Sequence, residues 1–288
     1  MHFVGLDLAW GEKKQTGVAA VGSDGRLLDV GIAQDDASIL DTVAPYVGGD
    51  CIVAIDAPLI VNNPSGYRTA ETAFNRDFAK FDAGAYPANT GNPLFNPPRA
   101  AAIAEALGLN SDPASGAQRR AIEVYPHPAS VVLFQLEKTL KYKNKQGRSF
   151  DQRQRELLKL MTLIEGLDDA SPRLRVNHNM NWVALRKRVE AATRPAQLDR
   201  DEDPVDAVLC AYIALYWYHR PDDTAIYGDF ETGYIVTPSL PPDLSAAPRR
   251  RAVPPPNDEL HERLSRLEEL LAQAQLEART IREQLYRM

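Results

Sequence analysis

Five acidic residues, Asp7, Asp56, Glu123, Asp203 and Asp206, stand where a carboxylate is hardest to explain as surface decoration. Asp7 lies inside the apolar run Phe3-Val4-Gly5-Leu6-Asp7-Leu8-Ala9-Trp10, and Asp56 closes Cys51-Ile52-Val53-Ala54-Ile55-Asp56. Glu123 interrupts Ala121-Ile122-Glu123-Val124-Tyr125, while Asp203 and Asp206 open the stretch Pro204-Val205-Asp206-Ala207-Val208-Leu209-Cys210-Ala211. Burying an unpaired carboxylate is costly, so such positions call for a partner, and a divalent cation is one. Carboxylates that converge repel and raise one another's pKa unless a cation is present. Hard oxygen ligands favour Mg²⁺ or Mn²⁺, and a pair of such ions can activate a water and stabilise the leaving oxygen of a phosphodiester. The expectation is a metal-dependent hydrolytic site.

The elements that must position these acids follow from local pattern. Residues 3–10, 16–22 and 26–33 read as three consecutive strands, the last two joined by the hairpin signal Ser23-Asp24-Gly25. A helix over 36–47 and a strand over 51–56 follow, and that order makes the new strand parallel to the first. Further helices are expected near 68–81, 99–107, 128–140, 150–166 and 179–192, with a strand over 120–125. Residues 86–98, rich in Pro and Asn, read as a long functional loop. A hairpin over 225–227 and 233–237 ends the globular part.

Side chains alternate along a strand, so Asp7 shares a face with Gly5 and Ala9, and Asp56 shares one with Ala54. On adjacent parallel strands both acids project near the carboxyl ends, where ligands bind in open α/β sheets. The small neighbours leave room there. Asp203, just before Pro204, fits an N-cap with proline at the first helical position, which puts Asp206 in the first turn. The positive end of the helix dipole would favour both charges; a pure cap is the plainer role for Asp203.

Bulk properties bound the rest. A chain of 288 residues with 44% hydrophobic and 25% charged residues has the composition of an ordinary soluble protein. Its start lacks the basic and apolar regions of a signal peptide, and no apolar run reaches membrane-spanning length. Cytoplasmic residence and no membrane partner are the expectations. Cys51 and Cys210 read as reduced core residues. The net charge is −6, yet residues 138–194 carry 14 Lys and Arg against 6 Asp and Glu. Such a segment can face phosphate in a nucleic-acid groove, or simply form the solvated side of helices, as Arg186-Lys187-Arg188 suggests.

The globular domain is placed at 1–238 and a Pro-rich linker at 239–256. Residues 257–288 form a heptad-repeat helix with the seam Leu260, Leu264, Leu267, Leu271, Ala274, Ala278, Ile281 and Leu285. A lone helix cannot bury its seam, so a loose coiled-coil homodimer is the leading expectation, with folding back onto the domain and a foreign partner as the alternatives.

The motifs Gly5-Leu6-Asp7-Leu8-Ala9-Trp10, Ala54-Ile55-Asp56-Ala57-Pro58, Glu123-Val124-Tyr125-Pro126 and Asp206-Ala207-Val208-Leu209-Cys210-Ala211 resemble, over residues 1–238, an uncharacterised family of predicted RNase H-like nucleases (domain of unknown function 429). The resemblance implies an α/β, RNase H-like fold: a five-stranded mixed sheet in order 3-2-1-4-5 flanked by helices, here with a C-terminal helical tail. It implies Asp7 on strand 1, Asp56 at the end of strand 4, and Asp203 or Asp206 on the late helix. The Asp203/Asp206 pair is also similar to the Holliday-junction resolvase branch of that superfamily.

The leading expectation is therefore a Mg²⁺- or Mn²⁺-dependent nuclease acting on nucleic acid. Asp7, Asp56 and Asp206 are the catalytic candidates, and Asp203 joins them as a metal ligand. Glu123 matches a Glu-x-x-Pro element of the family and is assigned a supporting or substrate-side role, with a buried salt bridge as the alternative; Arg68 and Arg76 are candidates to face phosphate. Two other classes remain open. One is a catalytically silent scaffold. The other is an actin-like ATPase or sugar kinase, since Asp7-Leu8-Ala9-Trp10-Gly11 with Thr16-Gly17 is similar to a phosphate hairpin, though no second glycine-rich phosphate loop follows.

Overall fold

A computed structural model describes residues 1–9, 11, 15–248, 263–264, 266–271 and 273–275. Strands β1 (His2–Asp7), β2 (Thr16–Gly22) and β3 (Leu27–Ala33) form an antiparallel meander. Helix α1 (Asp36–Val47) follows, and β4 (Cys51–Ile55) then pairs parallel with β1. Helices α2 (Thr69–Phe78) and α3 (Arg99–Ala106) precede β5 (Arg119–Glu123), which pairs parallel with β4. The result is the expected α/β architecture, a five-stranded mixed sheet in order β3-β2-β1-β4-β5.

After β5 come α4 (Pro126–Leu133), α5 (Phe150–Glu165), α6 (Met180–Glu190) and α7 (Pro195–His219). Strands β6 (Thr224–Asp229) and β7 (Gly233–Pro238) form a separate hairpin that packs on α2. β1 and β4 carry near-continuous apolar side chains because they are buried, α7 packing on both strands and α1 on β1. A second, smaller core of Phe74, Phe78, Phe81 and Ile235 joins α2 to the hairpin.

Two expected elements differ. The helix drawn over 128–140 is α4 and stops at Leu133. Gln135 takes the left-handed conformation (φ 50°), with Leu136 N–H donating to Val131 O and Gln135 N–H to Val132 O. That pair of bonds is a Schellman end, which caps the last carbonyls without a glycine.

The larger correction concerns the helix carrying Asp203 and Asp206. It begins at Pro195, not at Asp203, and Pro204 lies inside it. Asp203 is therefore no N-cap, and the helix dipole does not favour either acid. An internal proline costs a helix the bond to the carbonyl four residues earlier. Here that carbonyl, Arg200 O, accepts from Gln15 Nε2 at 2.7 Å. Burial of the helix against β1 and β2 supplies the rest of the stabilisation.

The chain divides into two compact units, Met1–Ala247 and Pro248–Met288. In the first, residues 239–247 lie against the domain: Ser239 N–H donates to Asp223 O, and Ala247 N–H to Glu137 O. In the second, residues 263–264, 266–271 and 273–275 are helical, with Leu264, Leu267 and Leu271 each more than half exposed. The seam positions Leu260, Ala278, Ile281 and Leu285 lie outside the described residues. Among the described residues no helix is long and apolar enough to cross a membrane.

Candidate active site: a carboxylate cluster around Lys143

Asp7 ends β1, and Asp56 follows β4 directly, its N–H donating to Leu6 O at 2.8 Å. The register pairs Leu6 with Ile55, so the two acids lie side by side at the carboxyl ends of adjacent parallel strands. The space beside the small residues of β1 is not empty: α7 fills it. A Cβ on Gly5 would collide with the backbone at Ala207 and Ala211, and one on Gly17 would collide with the backbone at Asp203. Glycine at these two positions lets the helix backbone lie directly on the strands. Asp203 and Asp206, three apart on α7, are thereby delivered to the Asp7 end of the sheet.

Three of these acids, Asp7, Asp203 and Asp206, together with Glu202, meet a cation of the chain's own. Lys143, in the segment between α4 and α5, places its Nζ 2.7 Å from Asp206 Oδ2, 3.2 Å from Asp7 Oδ2, 3.4 Å from Asp203 Oδ1 and 3.8 Å from Glu202 Oε1. The Tyr142 hydroxyl donates to Asp206 Oδ1 at 2.5 Å and lies 3.2 Å from His127 Nδ1. Buried Arg153 holds the outer acids, with its guanidinium 2.6 Å from Asp199 Oδ1 and 3.3 Å from Glu202 Oε2. Gln15 Nε2 donates to Asp203 Oδ2 at 3.3 Å.

Charge in this cluster is not balanced. Burial, with Asp206 and Asp203 nearby, pushes Asp7 up to about 7 despite Lys143. Burial and the Asp7 and Asp206 charges push Asp56 well above the carboxylate range. Burial likewise raises Glu202 to about 8, and Asp203 rises for the same reason. Burial works against a charged Lys143, but the carboxylates of Asp206, Asp7 and Glu202 outweigh it and hold the ammonium protonated. Burial lowers His127 to about 4, so its imidazole is neutral at neutral pH. Asp206 Oδ2 has no hydrogen bond of good geometry; its 2.7 Å approach to Lys143 is an ion contact.

By donor chemistry and charge these residues fit a hard divalent cation. The set is all carboxylate oxygen, has acids that burial and mutual repulsion push toward the protonated form despite Lys143, and includes a buried oxygen without a hydrogen-bond donor. Among the described residues no three His, Cys, Asp or Glu side chains stand ready-made around a metal position. Three of the acids instead lie against the ammonium of Lys143.

Residues 5–232 match the family model described as protein of unknown function (DUF429). The chain belongs to the DUF429 family. No curated protein and no solved structure matches it.

In this DUF429 chain the other candidate residues separate. Glu123 forms the buried salt bridge that was the alternative for it: Arg68 grips both its oxygens, at 2.5 and 2.9 Å, and Leu59 N–H donates to Oε2 at 2.9 Å. Arg68 also donates to Ile60 O and to Glu71, whose carboxylate accepts from Ala88 N–H. One arginine, with Glu71, therefore ties β5, the segment after β4 and Ala88 of the 86–98 loop together. Arg76 stands exposed on α2 and does not line the clefts beside the acids.

Two clefts open on either side of Asp7 and Asp56, with volumes of about 480 and 670 Å³. The first is walled by Tyr86, Phe95, Tyr125 and Lys145, the second by Gln15, Asp199, Glu202 and Asp203. Lys143, Tyr142, His127 and Glu202 were not foreseen. Lys143 and Tyr142 belong to the basic segment 138–194, and only the tight alternation Lys141-Tyr142-Lys143-Asn144-Lys145 set them apart there.

Proposed function

We propose that this chain is an RNase H-like nuclease that hydrolyses phosphodiester bonds with Mg²⁺ or Mn²⁺. One observation carries the reading: acids from the ends of two parallel strands and from a buried helix converge so closely that, despite Lys143, burial and mutual repulsion hold Asp7 and Asp56 back from ionising. Such an arrangement stores electrostatic strain that a hard cation relieves. Asp7 and Asp56 would hold the ion, with Asp206 and Asp203 completing the set. Bound there, it would lower the pKa of a water and polarise the phosphoryl oxygen.

The chain's own residues supply orientation and charge. Tyr142 fixes the plane of Asp206 through Oδ1 and leaves Oδ2 directed at the cluster. Lys143 holds Asp206 and Asp7 together and is a positive group within reach of a phosphate oxygen at that point. Neutral His127 braces the tyrosine hydroxyl instead of adding charge. The Arg68–Glu123 bridge keeps the first cleft's wall in place.

The test is incubation with single-stranded, duplex, hybrid and branched nucleic acids plus Mn²⁺, for the native chain and for Asp7→Asn and Asp56→Asn. Cleavage by the native chain alone supports the proposal. Equal cleavage in all three forms refutes the assignment of the acids, and ATP turnover without cleavage transfers the chain to the kinase-like class.

A further inference from the structure

The tail carries an exposed apolar seam. Its described residues are helical, and Leu264, Leu267 and Leu271 are 56, 64 and 62% exposed. Spacings of three and four put them on one helix face, with Leu264 and Leu271 at heptad position a and Leu267 and Ala274 at d. Exposed leucines scattered singly need no explanation, but three in one seam mark an interaction surface.

The residues flanking the seam identify its occupant. Arg263 holds a g position and Glu268 the next e, five residues on. Both are exposed, and neither forms an ion pair with another described residue. Where two helices run parallel and in register, g of one faces the following e of the other. Arg263 of one copy then meets Glu268 of the second, twice per dimer. The sequence repeats the pattern two heptads later with the signs exchanged, Glu277 at g and Arg282 at e.

An antiparallel pair with the seam fully overlapped sets g against g and e against e. Arg263 would then face Gln284, Glu268 Gln275, Glu277 Leu270 and Arg282 His261, and no opposite charges meet. The seam itself is less selective, since that arrangement sets Ala274 and Ala278 against Leu271 and Leu267. Orientation therefore rests on the flanking charges.

We propose that the tail binds a second copy of this chain through Leu264, Leu267 and Leu271, as a parallel, in-register two-stranded coiled coil. The chain itself supplies both halves of each charge pair, so it is its own complement. Each surface pair is weak and the alanines thin the seam, so the dimer is loose and depends on concentration. None of this depends on the nuclease reading.

The test is the mass of the full chain in solution, by light scattering or sedimentation, over a concentration series. It should rise from that of one chain toward that of two. Leu267→Asp should leave a monomer where the native chain is a dimer, with the Tm of the domain unchanged. Arg263→Glu sets like charges against each other and should weaken the dimer about tenfold. Adding Glu268→Arg re-forms the pairs with their signs exchanged and should recover the native affinity. Leu264→Cys reads orientation, because only the parallel register sets a beside a. Mild oxidation should then join two chains by a disulfide, the native Cys51 and Cys210 being buried.

A chain that stays monomeric throughout the series overturns the proposal and leaves the seam to the domain or to a foreign partner. A dimer that survives Leu267→Asp lies on another surface and overturns it as well. Failure of either the charge exchange or the cross-link in a Leu267-dependent dimer overturns the parallel arrangement.

Discussion

The ammonium of Lys143 and the carboxylate of Asp206 lie 2.7 Å apart, on a helix-borne acid whose other oxygen is taken by the Tyr142 hydroxyl. Asp206 is fully buried, so Lys143 is a principal source of the positive charge that makes its position tolerable. Removing one member of a buried pair typically costs about 3–5 kcal/mol. Lys143→Met should therefore lower unfolding free energy by roughly that amount in EDTA. Mn²⁺ should recover part of the loss and should raise the Tm of the variant more than that of the native chain. Thermal scans with and without Mn²⁺ decide it; an equal Mn²⁺ effect on both forms would show that Lys143 and a cation do not share the acids.

Arg68 is buried between Glu123 and Glu71 and is the cation common to both. Arg68→Met should destabilise the domain by about 3–5 kcal/mol in urea denaturation. Adding Glu123→Gln should restore part of this, because the buried charge it left behind is then gone. A double variant as unstable as the single one would contradict the ion-pair account.

Stability against pH should carry two opposed components. Asp7, raised from 3.8 to about 7, and Glu202, raised from 4.5 to about 8, bind protons more tightly folded than unfolded. Their contribution is present at low pH and lost as pH rises between about 4 and 8. His127, lowered from 6.5 to about 4, binds its proton less tightly folded. Its contribution is present above about 6.5 and is lost as pH falls toward 4. Unfolding free energies from pH 4 to 8 should show Asp7→Asn flattening the fall toward high pH, and His127→Gln flattening the fall toward low pH. A profile unchanged by either substitution would show that these groups titrate alike in both states.

Gly5 is where β1 meets the backbone of α7 at Ala207 and Ala211. Gly5→Ala must push the helix away or distort the strand, an overpacking cost of about 1–3 kcal/mol or more. Because the same helix carries Asp203 and Asp206, Mn²⁺ affinity, measured by calorimetry, should fall as well. A variant with native affinity and Tm would show that α7 can move without disturbing the acids.

Much of the fold was legible because its signals are local. Alternation, the Ser23-Asp24-Gly25 turn and strand–helix–strand order place β1 to β4, the family resemblance implies the position of β5 beside β4, and side-chain parity gives the faces that Asp7 and Asp56 share. Pro204 misled for an equally local reason. In isolation a proline after an aspartate looks like a helix start, and only the distant Gln15 side chain, meeting Arg200 O, lets the helix run through it. Glu123 could be singled out as a buried acid, but its partner Arg68 is 55 residues away in sequence.

By itself, then, the sequence determined the meander of β1 to β3, the parallel β4, the strand-end acids and the membership of Asp203 and Asp206 in one helix. Tertiary structure alone decided that Lys143, lost among 14 basic residues of its segment, becomes the counter-ion of the acids, and that Glu123 and Arg68 meet in the wall of the cleft beside them. The reason is physical. A charge acquires its role from what lies within a few ångströms of it, and those neighbours come from segments that only the folded sheet and helix bring together.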